Sequence, residues 1–562
     1  VRNVLKRSAL AAAAALVAVA LAACSGIPTS GSVQAGPELG TSGDNINVIF
    51  LPTGPTDGMS QQDILSGFIQ AQKSPQNNYS VARSYLSSGF SDTWKPNAGA
   101  TVDTGTPSTS STGDTSMQMS VTPVAYVDAN GSYTESGSSA PATLDFTFVQ
   151  QGGQWRISAA PDGVLIEDVF FDQVFSSHAL YFYDPTFTFL VPDLRWFPTS
   201  TAVGTRIVQA LLAGPSAWLG NGAVVTAFPD GTSTSSVVTT GGQAQVPLSS
   251  NVLQSSTTDL QRMQLQLEAS LGAVATVANV TITVDQNVVQ IPGSGQPGAI
   301  QYPRVNASPL VERDGAFGYL AGNGVSSIAG ISDPVESLKP VAVSYSSSRD
   351  VAAVKADAGG VYVVRSGSDP VQLDQRAGLI APSVDPFGYV WSIASGDPTG
   401  IIAYGPDNAA ILLSTNWDGA SGITSFEVSR DGTRALAYLT ADGQSKLVVA
   451  AIIRNPSGVP QKLGQPVVLS TGPETPIDAT WIDQLDVASV STTPAGTVKA
   501  LSLALGGRST SLGTPSSAVA AAGGNDVDGL RVLATDGSLL QQRGSAWQST
   551  ATGITRLGVQ TY

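Results

Sequence analysis

One cysteine and one histidine stand in 562 residues. A single thiol forms no internal disulfide and builds no cysteine-based zinc cluster. A single imidazole means that any serine-type triad would be built on His178. That residue lies in "SSHALYFYD", among aromatics at the start of a strand-like run. The setting is that of a structural histidine, and no G-x-S-x-G elbow accompanies it. A phosphate loop of the G-x-x-x-x-G-K-[ST] type is also missing, as is a dinucleotide fingerprint between a strand and a helix. Basic residues are few: 27 Lys and Arg face 42 Asp and Glu, for a formal net charge of −15. Phosphate backbones are gripped by clustered Lys and Arg, so the balance argues against nucleic acid as a partner. Direct adsorption on anionic lipid is disfavoured for the same reason. These absences together predict no enzyme, no cofactor and no metal.

What is present describes a globular chain of many short strands. Charged residues make up 12% and hydrophobic ones 42%, which is not a disordered composition. Glycine (59) and proline (34), with abundant Ser, Thr and Val, point to turns and strands. The length suggests three or four domains.

The one cysteine follows a patterned leader. Arg2, Lys6 and Arg7 precede an unbroken apolar run, Ala9 to Ala23, ending in small residues. That is the layout of a secretory signal, and the run is short for a membrane span, which needs about 20 apolar residues. Leu21-Ala22-Ala23-Cys24 resembles the lipobox of bacterial lipoproteins. The resemblance implies cleavage between Ala23 and Cys24, an S-diacylglycerol on Cys24 and an N-acyl group on the new terminus. Two or three acyl chains anchor stably where one holds only marginally. An uncleaved anchor or an incidental cysteine is the competing reading. Taking three positive charges from −15 leaves about −18 after such a cut.

Residues 1–23 are thus read as signal and 24–44 as a flexible tether without apolar periodicity. Residues 45–160 open with two helical stripes: Ile64, Leu65, Phe68 and Ile69, then Val81, Ala82, Tyr85 and Leu86. Strands follow, with Leu144, Phe146 and Phe148 alternating and Trp155 and Ile157 after them. The stretch 106–116, "TPSTSSTGDTS", reads as a polar loop. Helices followed by a curved antiparallel sheet resemble the NTF2-like fold. Trp94 is a candidate pocket residue there, although such aromatics are ordinarily core.

Residues 163–292 carry strand-like "ALYFYDP" and "FTFLVPDLRWFP", then a helix with Ile207, Val208, Leu211 and Leu212 on one stripe. Gly214-Pro215 predicts a left-handed cap followed by a stop. Ala210–Pro215, "FPDGT", "AQVPLS" and "VTITVD" resemble the GerMN domain of sporulation and germination proteins, an α+β module for binding or assembly without catalytic residues to transfer.

Residues 306–562 repeat a polar turn, an apolar strand, a glycine turn and a second strand. Aligned near Ala316, Val351, Tyr389, Arg434, Val487 and Leu530, the steps run from 35 to 53 residues. Such periods predict a β-propeller, here of about six blades, or seven if an upstream strand closes the ring. A pair of β-sandwiches is the competing architecture. "SRDGTRALAY" resembles TolB-type blades. The fold class is therefore multidomain and mainly β, with α+β domains at the N-terminal side.

Two acidic groups are candidates for chemistry. "NDVDG" (525–529) resembles the start of a calcium loop but lacks the closing glutamate, so turn chemistry explains it better. Glu167, Asp168 and Asp172 lie close in sequence, yet a glycosidase pair must face one cleft at a set separation, which sequence does not show. Phe170, Phe171, Phe175, Tyr181 and Tyr183 beside them read as core rather than a sugar platform.

Lipobox, NTF2-like region, GerMN domain and propeller, in that order, resemble the LpqB family of actinobacterial lipoproteins, including "CSGIPTSGSVQ" after the cut. The resemblance implies a protein on the outer face of the cytoplasmic membrane. It implies an accessory of the MtrA–MtrB two-component system that contacts the extracellular sensor domain of the MtrB-like histidine kinase. A competing reading has the lipoprotein bind cell-wall glycan through exposed Trp391, Trp417, Trp481 or Trp547.

Overall fold

The computed structural model describes residues 51–562 except 138–139, 294–297 and 545; the signal, Cys24 and the tether lie outside the described residues.

Helix α1, Gln61–Ala71, begins at a reciprocal cap. The Asp63 amide donates to Ser60 Oγ and the Ser60 amide donates back to the Asp63 carboxylate, both at 3.2 Å, which satisfies two otherwise orphaned donors. Ile64, Leu65, Phe68 and Ile69 are all buried, as their spacing predicts. Helix α2, Gln76–Ser84, and the short α3, Ser88–Thr93, follow. Ala82, Tyr85 and Leu86 are buried while Val81 is half-buried. Trp94 is core: its ring lies 5.1 Å from that of Phe68, and its Nε1 donates to Pro161 O at 3.2 Å.

Strands β1 (Gly99–Asp103), β2 (Ser108–Gly113), β3 (Ser116–Val121) and β4 (Pro123–Asp128) come next. They precede β5 (Tyr133–Glu135), β6 (Ala142–Gln151), β7 (Gln154–Ala159) and β8 (Val164–Glu167). They form two four-stranded sheets, β5-β4-β1-β8 and β2-β3-β6-β7, rather than one. The pair β1–β8 is parallel, so the region is not purely antiparallel. Most of the stretch expected to be a polar loop is strand. On β2 nearly every side chain is exposed, so no apolar alternation marks it, and pairing with β3 alone holds it extended. Strand β8, Phe171 and Phe175 belong to this region's core.

In the second region β9 (Phe175–Tyr183) and β10 (Leu190–Pro198) make a long antiparallel ribbon. Helix α4, Val203–Ala213, buries Ile207, Val208 and Leu211. It ends at Gly214 with φ 102° and ψ 178°. The chain thus leaves through an extended positive-φ conformation instead of the left-handed cap its Gly-Pro pair predicts, and only glycine adopts it readily. Strands β11 (Val238–Thr240), β12 (Gln243–Pro247), β13 (Asn279–Val284) and β14 (Asn287–Val288) form one sheet. Helix α5, Thr257–Leu271, packs on it.

From Leu310 onward the chain is mostly β, a curled propeller-like region of antiparallel hairpins in three four-stranded sheets, one of five strands and one of eight, in which Ile554–Thr561 pairs antiparallel with Leu310–Arg313 and parallel with Pro340–Ser346. Strands begin at or within one residue of all six aligned positions. At Ala316 the alignment is one strand out of phase. The innermost strand of that first sheet is Ile554–Thr561, so its local strands fill the second to fourth places. Matching Leu310 to Val351 instead restores the phase. Side chains on inner strands link each sheet to the next. Ser344 Oγ accepts from Val384 N (3.1 Å), Ser383 Oγ from Val428 N (3.0 Å), Glu427 Oε2 from Trp481 N (3.0 Å), and Thr480 Oγ1 from Gly523 N (3.1 Å). The recurring aspartates hold the turns that follow. Asp385, Asp431, Asp483 and Asp526 each accept at least one backbone N–H from two to four residues ahead, the Asx-turn habit of that side chain. For "NDVDG" this is turn chemistry.

Candidate functional site

The three folded regions meet at a cleft of about 390 Å³. Its walls come from all of them: β5 from the first, Asp193 to Trp218 from the second, and two outer strands from the third, Val467–Gly472 and Ser509–Ser511. Val449, Leu503 and Leu505, all buried, and the half-buried Trp218 give it an apolar floor. An adjoining recess of about 470 Å³ shares Tyr133, Glu135 and Ser509 with it. At the rim the Asp128 and Glu135 side chains are exposed. Asp193 is buried and committed: it takes Arg195 at 2.6 Å and the Ser216 amide at 2.7 Å.

The carboxylates singled out in the sequence sit beside this junction, each on a cation. Glu167 meets Lys73 Nζ at 2.9 Å, and that ammonium lies 3.9 Å from the centre of the Phe170 ring. Asp168 and Asp172 both pair with Arg508, the latter at 2.9 Å, which ties the first region to the third. They are bridging groups, not an acid and a base facing one substrate. Trp196 ties the second region to the third, its Nε1 donating to Gly506 O at 2.9 Å. Phe171 stacks on Phe175 at 5.2 Å and lies 4.9 Å from Trp196. Phe171, Phe175, Tyr181 and Tyr183 are buried core.

His178 lies on β9 opposite Arg195, 8% exposed. Its Nε2 is 3.0 Å from Ser176 Oγ, but Nδ1 has no hydrogen-bond partner. No acid orients the ring, and burial pushes its pKa down to about 4. This is not a triad. Among the described residues no cluster of His, Cys, Asp or Glu could hold a metal ion.

The tryptophans expected to be exposed for glycan stacking are not. Trp391, Trp417 and Trp481 are at most 4% exposed. Trp391 Nε1 donates to Asp385 at 3.0 Å, and Trp481 Nε1 to Glu427 O at 3.3 Å. Trp547 is half-buried, its Nε1 donating to Leu512 O at 2.8 Å. Their apolar faces fill the space between sheets. The cleft itself escaped sequence reasoning, because its lining is drawn from stretches hundreds of residues apart.

Comparison with known proteins adds three matches in order. Residues 54–172 match the family of the lipoprotein LpqB N-terminal domain, 179–290 the family described as sporulation and spore germination, and 315–556 that of the LpqB beta-propeller domain. Lipoprotein LpqB of Cutibacterium acnes is 28% identical, covering 99% of each chain. That of Rhodococcus opacus is 25% identical over 82% of this chain and 83% of its own. Among solved structures, TolB from Acinetobacter baumannii aligns with 57% of this chain and 87% of its own at 12% identity and a TM-score of 0.33.

Proposed function

We propose that this chain, a strong match to the LpqB family from its first folded region to its last, is a lipid-anchored accessory protein on the outer face of the cytoplasmic membrane. It binds the extracellular sensor domain of an MtrB-like histidine kinase and modulates signalling in envelope homeostasis and division. The observation that carries this reading is the consecutive order of the three matched segments, with similarity to an LpqB lipoprotein along 99% of the chain. Its kinase partner rests on the family resemblance. The role is binding. To shift the kinase between states, the protein must bind those states with different affinity, and tethering both partners to one membrane raises their effective concentration.

In this reading residues 1–23 are the signal, Cys24 carries the lipid and 24–44 is the tether. The first domain is NTF2-like and begins near residue 45; the core membership of Phe171 and Phe175 supports ending it near 175 rather than 160. The GerMN domain runs on to 292 and the propeller fills 306–562. Six blades are supported by six consecutive groups of strands, four in each but the fourth, which has five, with the first completed by Ile554–Thr561.

Titration calorimetry between residues 25–562 and the kinase's extracellular domain tests the partner. Saturable binding is expected, and its absence with both proteins folded and co-reconstituted in one membrane rejects the kinase reading. Cys24→Ala tests the anchor. The full-length variant is expected to leave the membrane fraction for the soluble one, and retention equal to wild type would show that Cys24 carries no lipid.

A further inference from the structure

The junction cleft is bordered by three sheet edges. Strand β5 ends its sheet, Ser509–Ser511 ends another, and Val467–Gly472 pairs only with Gln444–Arg454. A sheet edge carries backbone N–H and C=O groups able to pair with an added strand, and proteins ordinarily blunt or cover such edges. Here three of them, from two regions, face one concavity with an apolar floor. Val468 on the central edge is 52% exposed, between half-buried Val467 and Leu469. That alternation is what a strand offers to a partner strand.

We infer that this cleft takes an extended, basic segment of a partner polypeptide as an added strand. The backbone edges select an extended polypeptide, by the same physics as other strand-addition sites. The rim selects its charge. Exposed Asp128 and Glu135 line the opening, Asp128 Oδ1 also accepting the Asn130 and Ser132 amides at 2.8 Å, whereas Arg508 in the adjoining recess is held by Asp168 and Asp172. A second copy of this chain, at a net −15, brings like charge to the rim and is disfavoured. The segment that fits alternates β-branched residues toward the floor with Lys or Arg toward the rim. This goes beyond the kinase reading, because it specifies the partner's chemistry whatever protein supplies it.

The test is selection of a displayed random dodecapeptide library on the full chain in detergent micelles. Enriched peptides are expected to alternate Val, Ile or Thr with Lys or Arg. Val468→Lys, on an exposed side chain, and Glu135→Lys are each expected to weaken their binding tenfold or more without lowering the melting temperature. N-methylation of alternate peptide amides is expected to weaken it similarly, because it removes strand hydrogen bonds and keeps every side chain. The inference is overturned by a selection without enrichment, by binders indifferent to both substitutions, or by binders indifferent to N-methylation. Dimerisation of the chain that Val468→Lys abolishes would also overturn it, by making a second copy the occupant.

Discussion

Asp385→Ala is expected to lower the unfolding free energy by about 3–5 kcal/mol, the usual cost of breaking a buried ion pair from one side. Asp385 and Arg454 are both fully buried and meet at 2.5 Å. The aspartate also accepts from the Phe387 and Tyr389 amides and from Trp391 Nε1, each at 2.9 to 3.0 Å. Removing it strands three donors and a guanidinium together. Arg454 would keep its bonds to Gly432 O and Gly458 O, both at 2.8 Å, and the rings of Phe387, Tyr389 and Trp391 at 4.5, 5.7 and 5.8 Å. Neutral acceptors and a ring do not replace a carboxylate for a buried cation. Urea denaturation measures the loss. Replacing both partners, Asp385→Ala with Arg454→Met, removes the stranded charge and is expected to recover part of it. A single-variant cost under about 1 kcal/mol would contradict the burial described for the pair.

The second large effect depends on pH. Glu427 is buried on an inner strand, and burial first, then the charge of Asp478, push its pKa up to about 8. A carboxyl whose pKa is raised on folding favours the folded state while protonated. That contribution is complete below about 4.5, the unfolded value, and is lost as pH rises through 8. Between those limits the loss is on the order of 5 kcal/mol. Glutamine keeps an oxygen to accept from the Trp481 amide and Thr480 Oγ1, both at 3.0 Å, and cannot ionise. Glu427→Gln should therefore match wild type near pH 5 and melt higher at pH 8. Equal melting temperatures at pH 8 would show that Glu427 ionises without cost. Asp478 and Asp486, raised mainly by burial to about 6 and about 7, contribute slopes of the same sign that persist in the variant. His178 acts oppositely. Its lowered pKa leaves the unfolded chain binding more protons between about 6.5 and 4, so its contribution is lost as pH falls through that window.

Where one face of an element is buried along its whole length, the sequence was legible. The stripe of α1 and the apolar strands after each aspartate turn declare themselves because burial imposes a period. Strand β2 does not, since an exposed polar edge has no apolar face to repeat. The phase slip at Ala316 has another cause: the innermost strand of that sheet lies far along the chain, where no local window sees it. Trp391 and Trp481 were legible as residues but not as orientations, because a strand buried on both faces shows no alternation. Glu167, Asp168 and Asp172 were conspicuous by proximity, yet their roles depend on Lys73 and Arg508, about 94 and 340 residues away. The cleft is the extreme case, existing only where three regions converge.

The strand Ile554–Thr561 carries a consequence for how the chain is made. Gly558 pairs with Leu310, 248 positions earlier, and Val559 with Ser344. At translation rates of about 5–20 residues per second, its partner strands wait roughly 12–50 s for it. Throughout that interval the ring is open at the seam between its first and second sheets. Contacts this distant in sequence form late and slowly, so a nascent chain halted anywhere in the third region presents an unpaired seam to its neighbours. The window for misassembly is thus set by the ribosome, and it shuts only when the clasp arrives.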